Sequence, residues 1–252
     1  MHLLNRLHLL FFPPACRLCG SMMDPLSAWR GGRPPGFPHL CPECFGTLPF
    51  LENPAAIEPP PGLDALWAAC RYEPPVSHWI RQFKYGRNDS LAPLLASLML
   101  WKELPGFELF PGMLVAPVPL HPRRVRTRGF NQSHLLARHW LRGLSRHGRL
   151  LPEPRPVARP NLLARRRFTR PQVELDAPNR AVNVAGAFSL GGRMARKAES
   201  LAGAGILLVD DVATTGATLS GCAQALKEAG AGRVEALVLA RPGLDLPLGE
   251  AA

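Results

Sequence analysis

The chain has 252 residues, of which 46% are apolar, enough to build one large domain or a main domain with a small appendage. It carries a formal charge of +11, and no stretch approaches the ~20 apolar residues that cross a bilayer. The apolar stretch near the N-terminus, residues 7–12, lacks a small-residue cleavage site. A cytoplasmic protein without membrane insertion is therefore expected.

Four of the six cysteines form two CxxC pairs, Cys16 with Cys19 and Cys41 with Cys44, separated by 21 residues. Four thiolates satisfy tetrahedral Zn²⁺, and a closed site of this kind leaves no position for a substrate. The spacing favours a structural zinc module over residues 1–57. Redox-active or coincidental cysteines are the alternatives.

Beyond a proline-rich linker at residues 58–62, strand patterns alternate with helix patterns. The alternation predicts an α/β domain over residues 63–243, with a mostly parallel sheet flanked by helices. Strands are predicted at 63–72, 113–118, 161–164, 206–209 and 234–240. Helices are predicted at 75–83, 90–103, 129–146 and 218–229. The proline- and arginine-rich segment 149–170 lacks periodicity and is expected to end in a long mobile loop.

The sequence ILLVDDVATTGATL, residues 206–219, places Asp210 and Asp211 at the carboxyl end of a buried strand, where open α/β sheets bind ligands. The next turn offers hydroxyls and main-chain amides at a helix N-terminus, which suit a phosphate. Carboxylates repel phosphate and suit neutral hydroxyls or a divalent cation. Together these features indicate a ribose 5-phosphate. A capped turn, a Walker-B strand and a phospho-accepting aspartate are the alternatives, and the chain has no GxxxxGK[ST] partner for the second.

The positive charge is concentrated between His121 and Arg170, where there are 14 arginines, no lysine and the single acid Glu153. Guanidinium groups suit phosphate oxygens, so this segment is interpreted as a surface that receives phosphates. A solvated arginine-rich face is the alternative.

The stretch 206–219 resembles the phosphoribosyl-diphosphate binding motif of type I phosphoribosyltransferases. Other stretches, together with the four-cysteine module, resemble the competence-protein F (ComF) family, also called amidophosphoribosyltransferase-like, with its N-terminal double zinc ribbon. These stretches are PVPLH at 117–121, RGFNQ at 128–132, RPQ at 170–172, NR at 179–180, NV at 183–184 and GAF at 186–188. The likeness extends from residue 12 to about residue 241.

The resemblance implies a type I phosphoribosyltransferase fold and a donor, 5-phosphoribosyl diphosphate, bound with Mg²⁺. The residues to which it gives catalytic roles are Asp210, Asp211 and Arg128. It implies a 5-phosphate loop of Ala213, Thr214, Thr215, Gly216, Ala217 and Thr218. For the pyrophosphate and a lid at 165–172 the candidates are Lys84, Arg123, Asn131, Gln132, Arg170 and Gln172. Asn131 and Gln132 alternatively cap the helix that follows them.

Three functions are compatible with these features. The first is a phosphoribosyltransferase of nucleoside metabolism with an unidentified acceptor. The second is a single-stranded DNA-binding accessory protein that works with the DNA-uptake machinery, since the family is associated with natural competence. Only three aromatic residues lie among the arginines, namely Phe130, Trp140 and Phe168. The segment therefore offers few rings on which bases could stack. The third is a phosphoribosyl-ligand sensor.

Overall fold

The computed structural model describes residues 15–23, 40–52, 58–101, 104–146, 151–167, 186–192 and 201–243. The chain divides into two compact units, Met1–Pro49 and Phe50–Ala252. In the smaller unit, helix α1 (Pro42–Gly46) begins after Cys41, whose Sγ accepts a hydrogen bond from the N–H of Cys44. The domain limits expected at residues 57 and 63 stay a prediction.

The larger unit contains a parallel five-stranded sheet in the order β1-β7-β6-β2-β3. Its strands are β1 (Ala65–Arg71), β2 (Leu114–Pro117), β3 (Val157–Ala158), β6 (Gly205–Val212) and β7 (Arg233–Arg241). Two further strands, β4 (Leu163–Arg165) and β5 (Phe188–Leu190), pair antiparallel. Residues 206–209 of β6 are fully buried, as expected for a parallel strand covered on both faces. The predicted α/β class with a parallel sheet is confirmed.

Helices cover both faces of the sheet. They are α2 (Val76–Tyr85), α3 (Ala92–Trp101), α4 (Pro122–Arg128), α5 (Gln132–Arg146) and α6 (Ala217–Glu228). Helices α3 and α5 pack together and against strands β1, β2, β6 and β7. On the opposite face, α6 and the β4–β5 pair bury a second apolar cluster that includes Leu208, Leu219 and Val238. The described helices include none that is long and apolar enough to cross a membrane.

Three segments differ from the sequence-based expectation. Residues 122–128 form helix α4, which was not predicted. His121 Nδ1 caps its N-terminus, and Gly129, at φ 88°, ends it. Pro122 in the first turn and Gly129 after the last turn are common boundary residues of helices, so both ends of α4 were marked in the sequence. As a result α5 begins at Gln132 and not at residue 129.

The segments expected to be least regular are also structured in part. Within the segment 149–170, strand β3 was not predicted and lies at the edge of the sheet. Strand β4, in the antiparallel pair, overlaps the strand predicted at 161–164. The predicted linker packs on helix α6, where Pro61 O accepts a 2.6 Å hydrogen bond from Ser220 Oγ. Hydrogen bonds between the backbone of these segments and neighbouring strands and helices stabilise both segments. Such contacts produce no periodic pattern of apolar residues, so the sequence does not reveal them.

Candidate functional site

A cavity of about 900 Å³ opens in the larger unit at the carboxyl ends of the parallel strands. Among the described residues, its lining includes two acids, Asp210 and Asp211. The cations that line it are Lys84, Arg87, Arg123, Arg124, Arg128 and Arg165. The described lining therefore carries six basic side chains against two acidic ones, an excess suited to a ligand with several negative charges.

Asp210 ends the fully buried part of β6 and is held by two donors. Its Oδ1 accepts hydrogen bonds from Ser133 Oγ at 2.7 Å and from the N–H of Asp211 at 2.9 Å. Burial, together with the neighbouring charge of Asp211, raises the pKa of Asp210 to about 7, although Ser133 and Lys84 favour the carboxylate. This carboxyl can therefore change protonation state near neutral pH.

Asp211 is paired with Lys84, the penultimate residue of α2. Lys84 Nζ lies 2.9 Å from Asp211 Oδ1, and the Asp211 side chain is only 3% exposed. The second oxygen, Oδ2, is buried and has no hydrogen-bond partner in the described part of the chain. Burial opposes the charge of Lys84, but Asp211 outweighs this effect and raises the pKa of the ammonium. One carboxylate oxygen of Asp211 is therefore paired with Lys84, and the other has no hydrogen-bond partner among the described residues.

The turn after β6 leads directly into the N-terminus of helix α6. Gly216 caps helix α6 in the left-handed conformation, at φ 73°. Thr214 and Thr218 line the cavity, and Thr215 Oγ1 accepts a 3.4 Å hydrogen bond from the N–H of Ala217. Because this turn precedes a 12-residue helix, its amides and the helix dipole favour negative charge.

Ala213, the first residue of the predicted phosphate loop, has a different role. Its N–H donates to Ala240 O at 3.1 Å, and its side chain is 3% exposed within the apolar core. This amide is committed to the sheet, so Ala213 does not belong with the residues available to a phosphate.

The corner between α4 and α5 supplies basic and amide side chains. Arg128 Nη1 donates to Gln132 Oε1 at 2.9 Å, and its guanidinium lies 5.3 Å from the centre of the Tyr85 ring. Both Arg128 and Gln132 line the cavity, as does Arg123. The sequence-based candidates from this corner are therefore brought together, with one exception.

The exception is Asn131, which acts as a helix cap. Its Oδ1 accepts from the N–H of Ser133 at 3.0 Å, and its Nδ2 donates to Val118 O at 3.1 Å. The side chain is occupied within the chain and is absent from the cavity lining. The capping alternative considered for Asn131 is the one that this geometry favours.

The predicted lid is only partly described. Arg165, its first residue, belongs to β4, is 8% exposed and lies 5.2 Å from the centre of the Phe188 ring. It is therefore a packed side chain of the cavity wall. Arg170 and Gln172 lie outside the described residues, as do the motif residues at 179–180 and 183–184.

Ser133 is a site residue that the sequence analysis missed. It is 1% exposed, lines the cavity and contacts Asp210, which lies 77 positions away. A serine in the first turn of a helix is too common to signal such a role. Its contact depends on how α5 packs beside β6.

The four predicted metal ligands are assembled in the smaller unit. The Sγ atoms of Cys16, Cys19, Cys41 and Cys44 all lie within 4.8 Å of one another. Cys19 Sγ is 3.8 Å from Cys41 Sγ, the separation of about 3.8 Å that Zn–S bonds of about 2.3 Å give in a tetrahedron. Contacts with the hydroxyl and backbone of Ser21 lower the pKa of Cys19 to about 6, which favours the thiolate that metals bind, whereas the neighbouring Cys41 thiol raises the pKa of Cys44. The cluster is consistent with a zinc module.

Comparisons with known proteins agree with this architecture. The phosphoribosyl transferase domain matches residues 160–246. The chain is 34% identical over 212 residues to a "DNA utilization protein YhgH" from Salmonella typhimurium, covering 80% of this chain and 84% of the relative. The protein of the same name from Escherichia coli (strain K12) is 34% identical over 209 residues, with the same coverage.

A third relative is named "Competence protein F". It comes from Haemophilus influenzae and is 28% identical over 210 residues, covering 81% of this chain and 85% of the relative. The chain therefore belongs to the ComF family of the type I phosphoribosyltransferase superfamily.

Proposed function

We propose that the cavity binds 5-phosphoribosyl diphosphate with Mg²⁺ and that the protein transfers the phosphoribosyl group to an acceptor, releasing pyrophosphate. One observation carries the proposal: two buried carboxylates, the threonines Thr214 and Thr218 of the turn after β6 and several guanidinium groups line one cavity. The donor has three corresponding parts, which are neutral ring hydroxyls, a phosphate arm and a diphosphate. The predicted role in nucleoside metabolism requires that the acceptor be a base or a nucleoside precursor.

The acid pair is proposed to bind the ribose hydroxyls. Carboxylate oxygens accept hydrogen bonds from neutral hydroxyls without repulsion, and Asp211 Oδ2 is a buried acceptor with no partner among the described residues. Filling this position with a hydroxyl donor would remove the cost of an unsatisfied buried oxygen. A purely structural carboxylate would have both oxygens hydrogen-bonded within the protein, so the unpartnered Oδ2 supports a ligand that binds to Asp211.

The turn is proposed to bind the 5-phosphate through Thr214, Thr215, Gly216, Ala217 and Thr218. The threonines add hydroxyl donors to the main-chain amides at the start of α6. Gly216 permits the left-handed backbone that brings successive amides together. The phosphate arm and the ribose hydroxyls would then bind on consecutive residues of one strand and turn.

Arg123 and Arg128 are proposed to bind the diphosphate. When pyrophosphate departs, positive charge develops on the ribose carbon and negative charge on the leaving group. The guanidinium groups stabilise the leaving group, and the nearby carboxylates stabilise the sugar cation. Carboxylate and diphosphate oxygens are also the ligands that Mg²⁺ prefers, and Mg²⁺, when bound, neutralises part of the diphosphate charge. The roles of Arg170 and Gln172 in a lid stay predictions.

Calorimetric titration with 5-phosphoribosyl diphosphate, with and without Mg²⁺, tests the proposal. Asp210→Asn and Asp211→Asn are expected to weaken binding at least about tenfold, because each removes a charged hydrogen-bond acceptor. Asp89→Asn changes an exposed acid that does not line the cavity and should bind like the wild type. No Mg²⁺-dependent binding by the wild type would refute the proposal. Pyrophosphate release on adding candidate acceptors then separates a transferase from a sensor.

Binding of single-stranded DNA is the second candidate, and an exposed ring beside the cavity favours it. The Tyr85 side chain is 70% exposed and stacks with Arg128. A stacked arginine and tyrosine at a basic cavity form a surface on which a base can stack. Of the rings considered from sequence, Trp140 is 1% exposed and Phe130 packs 5.2 Å from Phe83. The relatives' names, with DNA utilization and competence, agree with this candidate.

Fluorescence anisotropy with a labelled oligothymidylate separates the two candidates. Tyr85→Ala and the double change Arg123→Ala/Arg126→Ala are expected to weaken DNA binding, the latter with a smaller salt dependence. Asp210→Asn/Asp211→Asn should leave DNA binding unchanged. The opposite pattern would reject a DNA role at this surface. Contacts with DNA-uptake proteins and a cytoplasmic location are predictions that apply to either candidate.

A further inference from the structure

The ion pair between Lys84 and Asp211 lies inside the cavity that is proposed to take the donor. Lys84 Nζ is 2.9 Å from Asp211 Oδ1, and the two side chains are 18% and 3% exposed. In the state described here, the ammonium therefore covers one of the oxygens that would accept a ribose hydroxyl. In this ion pair both partners are charged, whereas a ribose hydroxyl would bring a neutral donor to the same carboxylate, so the hydroxyl alone is the weaker competitor.

Lys84 also lies close to other positive charge. Arg128 disfavours the charge of Lys84 by Coulombic repulsion, and both side chains line the cavity together with Arg123. An anion between these groups would attract all three. The lysine ammonium is a compact charge on a flexible stem with three donors, which allows it to change partners more readily than a guanidinium.

We propose that Lys84 makes recognition of the ribose hydroxyls depend on the diphosphate of the donor. The diphosphate draws the ammonium away from Asp211, and the released Oδ1 then accepts a ribose hydroxyl. This inference rests on the proposed function and adds a specificity-determining residue to it. Ligands with the same ring and phosphate arm but no diphosphate leave the ion pair closed and bind weakly.

A fixed ion pair makes a different prediction. If Lys84 only holds Asp211 in place, its loss weakens every ligand of Asp211 by a similar factor. If Lys84 exchanges partners, its loss weakens the donor but not a ligand that lacks the diphosphate. The ratio of the two affinities therefore distinguishes the two roles, whereas either affinity alone does not.

Calorimetric titrations of the full chain with Mg²⁺ measure this ratio for two ligands. One is 5-phosphoribosyl diphosphate, and the other is anhydroribitol 5-phosphate, which keeps the ring hydroxyls and the phosphate arm. In Lys84→Met, we expect the preference for the diphosphate ligand to fall at least about tenfold, through weaker donor binding and equal or stronger analogue binding. Lys227→Met, which removes a surface lysine paired with Asp64 at 2.8 Å, should keep the wild-type ratio.

A measurement on the wild type keeps the test valid if Lys84→Met does not fold. Saturating inorganic pyrophosphate with Mg²⁺ is expected to raise the affinity for anhydroribitol 5-phosphate several-fold, because it releases Asp211. An unchanged or lower affinity overturns the inference, as does a Lys84→Met protein with the wild-type ratio. If the wild type does not bind 5-phosphoribosyl diphosphate, the proposed function fails together with the inference. Donor binding without the expected coupling overturns the inference alone.

Discussion

Ser133 Oγ donates a 2.7 Å hydrogen bond to Asp210 Oδ1, and this contact joins the first turn of α5 to the end of β6. Both side chains are nearly inaccessible to solvent, with 1% of Ser133 and 7% of Asp210 exposed. The N–H of Asp211 donates to the same oxygen at 2.9 Å. Two donors thus hold the first carboxylate of the acid pair in one orientation before any ligand binds.

Ser133→Ala is expected to shift the pH dependence of ligand binding. The hydroxyl stabilises the ionised form of Asp210, so its removal raises the pKa of Asp210 above its present value of about 7. Binding of 5-phosphoribosyl diphosphate, titrated between pH 6 and pH 9, should then reach half its maximum at a higher pH. Ser145→Ala removes an exposed hydroxyl from the same helix and should keep the wild-type profile. Identical profiles for the two variants would contradict the assigned role.

Asp210 also links stability to pH. Its folded-state pKa of about 7 lies above the unfolded value of about 3.9, so the folded protein retains a proton that the unfolded chain releases. The resulting stabilisation is present below pH 4 and is lost as pH rises through about 7. Nearby charged or titratable groups are Asp211, Lys84, Arg165 and Cys222.

Asp210→Asn lacks this titration and should melt several degrees above the wild type at pH 8, with a smaller difference at pH 5. Thermal unfolding at both pH values measures the effect. Asp89→Asn is the matched control, since its acid is exposed. If the difference in melting temperature between Asp210→Asn and the wild type is the same at both pH values, the pKa of Asp210 is not raised in the folded protein.

Gly216→Ala is expected to destabilise the larger unit by about 1–3 kcal/mol, because a left-handed backbone and a steric contact act together. The residue has φ 73°, and an added Cβ would lie 2.6 Å from Pro60 Cγ. Denaturant unfolding gives the loss of stability, and phosphate binding should weaken with it. Gly192→Ala, at a position with open space and no positive φ, serves as the control. Equal stabilities would mean that the turn relaxes without strain.

The four-cysteine cluster predicts one Zn²⁺ per chain. Cys19→Ser or Cys44→Ser should abolish stoichiometric zinc, measured by elemental analysis of purified protein, because a tetrahedral site of four thiolates loses a ligand. Cys222→Ala changes a cysteine buried in the core of the larger unit and should keep the metal. Zinc retained by both serine variants would exclude a site that needs all four thiolates.

Much of the fold was accessible from the sequence because its signals are local. The run of apolar residues before Asp210 predicted β6, and the capped apolar repeat after Gly216 predicted α6. Helix α4 was not predicted, although Pro122 and Gly129 are typical helix boundary residues. The short strand β3 was hidden by prolines and arginines, and only its pairing with β2 makes it a strand. Strand β4 overlaps the strand predicted at 161–164.

Some chemical groups of the two sites are neighbours along the chain and could be recognised there: the acid pair, the threonine-rich turn and the two CxxC pairs. Such groups stay together whatever the rest of the chain does, because covalent connection and local backbone geometry position them. The ion pair between Lys84 and Asp211 and the hydrogen bond between Ser133 and Asp210 depend on the packing of the folded chain. The same is true of Asn131, whose side chain caps helix α5 and does not enter the cavity. These contacts join distant segments, and they depend on how helices pack against the sheet, which no short stretch of sequence specifies.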